Sequence, residues 1–370
     1  MSLIVALTTI LSFAVSCWLG FSNFIKSRTI FLDSPSDERH SRVNHDSLTP
    51  RVGGIGIMLT SILAITIGYP EKAHISSEPF RSLLMTTIFV FSIGLWDDLF
   101  GNIRVHTRLL LLSVMALVAC LFSGNVITSI DFVFVDAIIE RSFLFSLLFT
   151  TFAIVCLTNG YNIVDGLNGL SSGCALGAVI PIVCVSGMVG DLALMQLSAI
   201  FASSLIGFFI VNIFTGRVFL GDGGAYLIGF VVSFSAILLS ERHPEVSPWF
   251  VVVLNSYAIL ETVFSVIRRK ACGAQITESD AGHLHSLIFG ILRYYLKRSC
   301  NSYSNRRINS LASITIIFFV AICSFCAIPL AGNTPLLIIF FASQAAAYLI
   351  VYFKVRSKLA SVFDDKQFVG

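Results

Sequence analysis

Four polar clusters interrupt an otherwise strongly apolar chain, and each carries residue types suited to handling phosphates or a divalent cation. The first runs from Gly216 to Phe230, where a lone carboxylate, Asp222, lies among Gly221, Gly223 and Gly224 between two apolar runs. Glycines there leave the backbone free to turn sharply or to approach a ligand, and a carboxylate can hold an oxygen-ligated cation. Just before it, Arg217 could meet a phosphate and Phe219 could stack on a flat ring. The second cluster is Trp96, Asp97 and Asp98, with Arg104 and Arg108 following. Adjacent carboxylates repel unless a cation or proton is shared. Taken alone, such a pair is as well read as a solvated loop. The third, Asn159 to Gly173, holds Asn159, Asn162, Asp165 and Asn168 among glycines. Three asparagines and an aspartate within ten residues exceed what a glycine-rich turn requires. Their amides supply both donors and acceptors, as recognition of a nucleobase or an acetamido sugar needs. The fourth is Asp280, His283 and His285, whose i, i+2 spacing suits alternate sides of an extended loop, or phosphate contacts, better than one helical face.

The elements that must position these clusters are membrane spans. The 370 residues are 56% hydrophobic and 12% charged, which excludes an ordinary soluble domain and predicts a multi-spanning membrane protein. Apolar segments of roughly spanning length occur near 3–25, 53–69, 82–96, 108–124, 142–158, 168–187, 192–213, 223–240, 248–267, 310–330 and 335–353, eleven in all. The first has no basic residue ahead of it and is too long for a signal-peptide core, so it reads as a retained helix. Threading the chain through eleven crossings places the loops 26–52, 97–107, 159–167, 214–222 and 268–309 and the tail 354–370 on one side. That side carries 20 of the 24 Lys and Arg; only Lys72, Arg81, Arg141 and Arg242 lie opposite. Such asymmetry predicts a cytoplasmic side for the loops and C-terminus, with the N-terminus periplasmic. All four clusters then meet at the cytoplasmic membrane edge.

No internal repeat or separate soluble domain is visible, so residues 1–370 read as one integral membrane domain, all-α. Most of the nine cysteines sit inside apolar runs and behave as small hydrophobes; Cys323 and Cys326 form a CxxC without partner ligands. In the largest loop Leu284, Leu287, Ile288, Ile291, Leu292 and Tyr295 recur at helical spacing beside Arg293, Lys297 and Arg298. That segment suits either a helix in the headgroup layer or one packed on the bundle. Glu261 lies within a mostly apolar span and needs a partner or a task. The first loop adds Asp33, Pro35, Arg39, His40, Arg42, His45, Arg51, Gly53 and Gly54, supplying basic groups beside an acidic set.

Carboxylates for magnesium, basic groups for phosphates and amides for a base or sugar, gathered at a membrane edge, point to phosphoryl transfer onto a lipid. A transporter would place its ionisable groups near mid-membrane. A prenyltransferase would carry two aspartate-rich boxes, and the pair Asp97-Asp98 has no equivalent at the mouth of another span. A catalytically dead scaffold has no need of Asp97, Asp98, Asp165 and Asp222.

On these motifs the chain resembles the bacterial polyprenyl-phosphate N-acetylhexosamine-1-phosphate transferases, the WecA/MraY superfamily (glycosyltransferase family 4), and is nearer the WecA branch. The resemblance covers D-x-P and P-R-x-G-G in the first loop, the aspartate pair, N-x-x-N-x-x-D-G-x-x-G, and V-F-x-G-D-x-G. From helix nine onward, Glu261, Arg268-Arg269, Gly273, Asp280, His283 and His285 fall in register. It implies magnesium-dependent transfer of a sugar 1-phosphate from a UDP-N-acetylhexosamine to undecaprenyl phosphate in the bacterial cytoplasmic membrane, with UMP released. Manganese is the implied substitute, a homodimer is left open, and no nucleic acid is expected. By position Asp222 resembles the magnesium ligand, and Asp97 and Asp98 the pair that engages the carrier phosphate or a metal, one of them as base. The same likeness puts Asn159, Asn162, Asp165 and Asn168 in the nucleotide pocket, Phe219 near uracil, Arg217, His45 and Arg51 among the phosphate-side groups, and His283 and His285 beside the phosphates.

The chain also departs from the pattern. Asn168 stands where an acid is usual, Gly101 and Asn102 where another acid follows the pair, and Ser286 and Ala281 replace a His and an Arg of the histidine loop. The first-loop basic box is altered to the run Arg39–His45. These differences bear on the identity of the sugar more than on the reaction.

Overall fold

A computed structural model describes residues 2–22, 32–33, 49–68, 78–101, 103–273, 282–299 and 303–367. These residues are helical almost throughout. In chain order the helices are α1 (Ser2–Phe21), α2 (Gly53–Gly68), α3 (Glu78–Phe100), α4 (Val105–Ser123), α5 (Val133–Ile139), α6 (Phe143–Val164), α7 (Leu170–Met188), α8 (Leu192–Thr215), α9 (Gly221–Arg242), α10 (Pro248–Leu254), α11 (Ser256–Ala271), α12 (Leu284–Ser299), α13 (Asn305–Ala327) and α14 (Thr334–Gln367). One short antiparallel pairing, β1 (Leu32–Asp33) with β2 (Thr49–Pro50), precedes α2.

Among the described residues, each of the eleven apolar segments falls on helix. Nine helices among the described residues are long and apolar enough to cross a bilayer. By contrast α2 has only 16 residues, and the 248–267 segment is broken into α10 and α11, bent by 74°. Asn255 at the break explains the bend. Its Nδ2 donates to Val251 O (2.9 Å), while its Oδ1 accepts the hydroxyl of Tyr161 on α6 (2.9 Å). Large apolar side chains such as Phe89, Leu110, Phe122, Phe152, Phe318 and Ile339 point outward, a surface stable only against lipid. The chain is an all-α, multi-pass integral membrane protein.

At the centre of the bundle stands α9, almost wholly buried and packed against α2, α3, α6, α7 and α10. Its first turn meets two other backbones at close range. A Cβ built on Gly94 of α3 would lie 2.5 Å from Gly223 Cα, and one on Gly54 of α2 would lie 2.5 Å from Gly224 Cα. Gly223 and Gly224 therefore admit neighbouring helices rather than a ligand. The sharp turn is left to Gly221, at φ +77°.

Several expected loops are shorter than the hydropathy boundaries, because backbone bonding continues after the apolar run stops. Asp97 and Asp98 sit on the last turn of α3, Asn159 and Asn162 on α6, and Asp222 on the first turn of α9. Likewise α14 carries the expected tail on to Gln367. Of the two readings for the amphipathic segment after α11, the structure favours the bundle. There α12 packs on α13 and α14, with Leu284, Leu287 and Phe289 buried and Lys358 Nζ 4.8 Å from the Tyr295 ring centre.

Candidate active site

The last turn of α3 meets the first turn of α9, and the glycine contacts above set the distance between them. Asp98 uses both oxygens on α9: Asp222 N–H donates to Oδ1 and Gly223 N–H to Oδ2, each at 2.9 Å. A carboxylate there satisfies two amides that helix geometry leaves open and faces the positive end of the helix dipole. The neighbouring Asp97 faces a different group. Its Oδ2 accepts Arg108 Nη1 at 2.9 Å and its Oδ1 accepts Ile103 N–H at 3.3 Å. The same Arg108 nitrogen reaches Asp222 Oδ2 at 3.3 Å, and its guanidinium lies over the Tyr226 ring, 5.7 Å from the centre. Thus one guanidinium sits between two carboxylates drawn from α3 and α9.

Arg51 reaches the same cluster from the other flank, 3.9 Å from Asp98 Oδ1 and 3.9 Å from Asp222 Oδ1. Backbone bonds hold it there: Phe219 N–H donates to Pro50 O (2.8 Å), Gly53 N–H to Phe219 O (2.9 Å) and Gly54 N–H to Leu220 O (3.0 Å). The P-R-x-G-G box is thereby laced to the segment leading into Asp222. Asn162 Nδ2 of α6 donates to Asp222 Oδ1 at 3.0 Å. Asn159, one turn earlier on α6, is half-buried, as is Asp165, which closes that helix.

The turn from α6 to α7 is held by two asparagines that the sequence did not single out. Asn309 Oδ1 accepts Asn168 N–H at 2.7 Å. Asn212 Oδ1 accepts Gly169 N–H, while its Nδ2 donates to Val218 O at 2.6 Å. One side chain therefore ties the asparagine-rich turn to the strap before Asp222. Asn168, implied as a nucleotide contact, is itself buried at this junction against Gly216.

A second polar group lies around Glu261 on α11, which is buried. His283 Nδ1 is 2.8 Å from Glu261 Oε1, Leu284 N–H donates to the same oxygen at 3.0 Å, and the Tyr348 hydroxyl donates to Oε2 at 3.0 Å. The His283 and His285 rings stack with centres 5.3 Å apart and planes 7° from parallel. They do not alternate along an extended loop, because helix α12 begins between them. An ideal Cβ on Gly166 would overlap His285 Nε2, so the His285 ring touches the turn that carries Asp165.

The structure thus brings Asp97, Asp98, Asp222, Arg51 and Asn162 together and places His283 and His285 against the adjoining turn. It sends Arg217 elsewhere: this exposed guanidinium stacks over Phe21 at the end of α1, 4.4 Å from the ring centre. Phe219 is half-buried in the strap. His45 and Asp280 lie outside the described residues. Arg108 and Tyr348 gained no role from sequence, although Arg108 at the mouth of an apolar span was a usable signal.

A bundle of apolar helices with an acidic, guanidinium-bridged cluster at the ends of two central helices is a membrane protein with a polar site suited to phosphorylated ligands. Comparison with known proteins agrees. The family model described as glycosyl transferase family 4 matches residues 80–240, a stretch holding the aspartate pair, the asparagine-rich turn and Asp222. The chain is 32% identical over 259 residues, 70% of its length and 72% of the relative, to the undecaprenyl-phosphate alpha-N-acetylglucosaminyl 1-phosphate transferase of Thermotoga maritima. It is 24% identical over 260 residues, 69% of the chain and 70% of the relative, to a probable undecaprenyl-phosphate N-acetylglucosaminyl 1-phosphate transferase of Bacillus subtilis. Against the phospho-N-acetylmuramoyl-pentapeptide-transferase of Staphylococcus carnosus it is 28% identical over 258 residues, 65% of the chain and 77% of the relative. The chain belongs to the polyprenyl-phosphate hexosamine-1-phosphate transferase superfamily.

Proposed function

We propose that this protein transfers an N-acetylhexosamine 1-phosphate, N-acetylglucosamine 1-phosphate or a modified relative, from a UDP-sugar to undecaprenyl phosphate. The product, a lipid diphosphate sugar, would begin a cell-surface polymer such as O-antigen, capsule or a cell-wall polysaccharide. The observation that carries this reading is the meeting of Asp97, Asp222, Arg108, Arg51 and Asn162 at one edge of the bundle. The charge asymmetry of the loops supports a cytoplasmic position for that edge in the bacterial inner membrane, with eleven crossings and a periplasmic N-terminus.

In this reaction a phosphate oxygen of the lipid attacks the sugar-bearing phosphorus of the donor. The new phosphorus–oxygen bond replaces the diphosphate bond, and UMP leaves with the electron pair. No covalent enzyme intermediate is needed. Arg51 and Arg108 offset the charge of the phosphates that must approach one another. Asp97 would take the proton of an incoming lipid phosphate, whereas Asp98 accepts the α9 amides and so fixes Asp222. Asn159, Asn162 and Asp165 would meet the nucleotide from α6 and its end.

The donor set fits magnesium in a particular way. Among the described residues no group of three His, Cys, Asp or Glu side chains converges on a metal, but magnesium is typically held by one or two carboxylates plus water and substrate phosphates. Asp222 with Asp97 would hold it, and bound there it would neutralise charge on the diphosphate; manganese is the expected substitute. Three carboxylates facing two guanidiniums leave an acidic excess for such a cation.

The test is release of UMP by purified protein given undecaprenyl phosphate, magnesium and a panel of UDP-N-acetylhexosamines, with a no-lipid control. Lipid-dependent UMP from one donor supports the reaction and identifies the sugar. Folded protein that releases none from any donor refutes it.

A further inference from the structure

Glu261 contributes to this site without lying in the acidic cluster. Its carboxylate is 1% exposed and is filled by the three partners named above, drawn from three places. The His283 ring comes from the segment before α12, the Leu284 N–H from the first residue of α12, and the Tyr348 hydroxyl from α14. A buried carboxylate is tolerated only where such partners meet it. Here all three converge where the two stacked imidazoles begin. The remaining face of the pair reaches Gly166, where only the absence of a Cβ lets the His285 ring approach.

From this geometry we infer that Glu261 is a positioning residue that orients His283, and through it His285, towards the α6–α7 turn, with Tyr348 holding the carboxylate in place. Resting on the function proposed above, the inference goes beyond it by giving this acid and this tyrosine a task. The carboxylate oxygen accepts a hydrogen bond from His283 Nδ1–H, which leaves Nε2 as the nitrogen able to face a phosphate. That tautomer is selected by the hydrogen bond the other ring nitrogen makes. Glu261 also accepts the first free amide of α12, so the orientation of the ring and the start of the helix are fixed by the same oxygen.

Two measurements test this, one independent of the reaction. Solid-state NMR of full-length protein labelled with 15N-histidine, with His283→Ala to assign the signal, is expected to show a protonated Nδ1 on His283 that is lost or shifted in Glu261→Ala. An unprotonated Nδ1 in the unaltered protein overturns the inference whatever the enzyme transfers. The second is a double-substitution cycle read by UMP release, with kcat and KM determined separately. Glu261→Gln is expected to lower kcat/KM by roughly 10- to 100-fold, by analogy with the loss of a partner that orients a metal-ligating histidine, and Tyr348→Phe by less. In a His283→Ala background, Glu261→Gln should cost little more, because its effect passes through that ring. Losses that multiply in the double variant, or a Glu261→Gln protein as active as the unaltered one, refute the inference. If Glu261→Gln does not fold, the same cycle is read with Tyr348→Phe. An unaltered protein with the expected NMR signal but no UMP release would refute the proposed function and leave the positioning role standing.

Discussion

The contact between Gly94 and the first turn of α9 offers a direct test of how the site is held. In Gly94→Ala the new Cβ would lie 2.5 Å from Gly223 Cα and N and 2.6 Å from Asp222 C. Ordinary carbon contacts begin near 3.4 Å, so α3 and α9 must separate locally by about 0.9 Å. Asp98 sits one turn further along α3 and is bonded to these same amides at 2.9 Å. Adding that separation to those bonds takes them to about 3.8 Å, beyond hydrogen-bond reach. The fold should survive, since overpacking a helix contact costs about 1–3 kcal/mol. Activity should not, since a misplacement of about 1 Å can cost on the order of 100-fold. Gly290→Ala serves as control: its Cβ would meet Leu359 at 3.5 Å, an ordinary contact, and replacing a helical glycine favours the helix by up to about 1 kcal/mol. The assay is lipid-dependent UMP release with thermal unfolding of both variants in detergent. Gly94→Ala protein with unchanged melting temperature and full activity would show that this contact does not set the geometry of Asp98 and Asp222.

Other outcomes follow from the same cluster. Asp222→Asn should abolish transfer while the protein still folds and inserts; full activity would remove this residue from the cation site. Asp98→Asn offers one acceptor oxygen to two amides, so one charge-assisted bond worth about 1.5–3 kcal/mol is lost. A fall in kcat/KM of roughly 10- to 100-fold is expected, and an unchanged rate would contradict the capping role. Chelation of divalent cations should stop UMP release, with magnesium or manganese restoring it. Activity that persists in excess chelator would show that no dissociable metal takes part.

Much of the architecture was legible because burial in lipid is a property of local composition. Among the described residues each apolar run lies on helix, and Asp97, Asp222, Asn162 and Arg51 converge as residues of one site would. The limits of that legibility are equally physical. Hydropathy marks where a segment leaves the apolar layer, and helical bonding does not stop there, so the aspartate pair, Asn162 and Asp222 proved to be helix-end residues. Their roles depend on that difference. A carboxylate on a loop is free to take a cation, whereas Asp98 on the last turn of α3 is aimed at the open amides of α9 and spent there. Nothing in the dipeptide Asp97-Asp98 distinguishes its members. The distinction comes from the register of α3 against α9, set by Gly94 and Gly223 at positions where neither side-chain chemistry nor periodicity carries a signal. Arg217 illustrates the converse: its place beside Asp222 in sequence suggested a phosphate contact, yet the turn into α9 sends its guanidinium to Phe21, while Arg108, 114 residues from Asp222, takes the position between the acids. Proximity along the chain was therefore a poor guide to which cation serves the site. Because α2, α3 and α6 meet α9 at its first turn, a cation reaches Asp222 only through the gaps between them, Arg51 from the segment just before α2 and Arg108 from the first turn of α4.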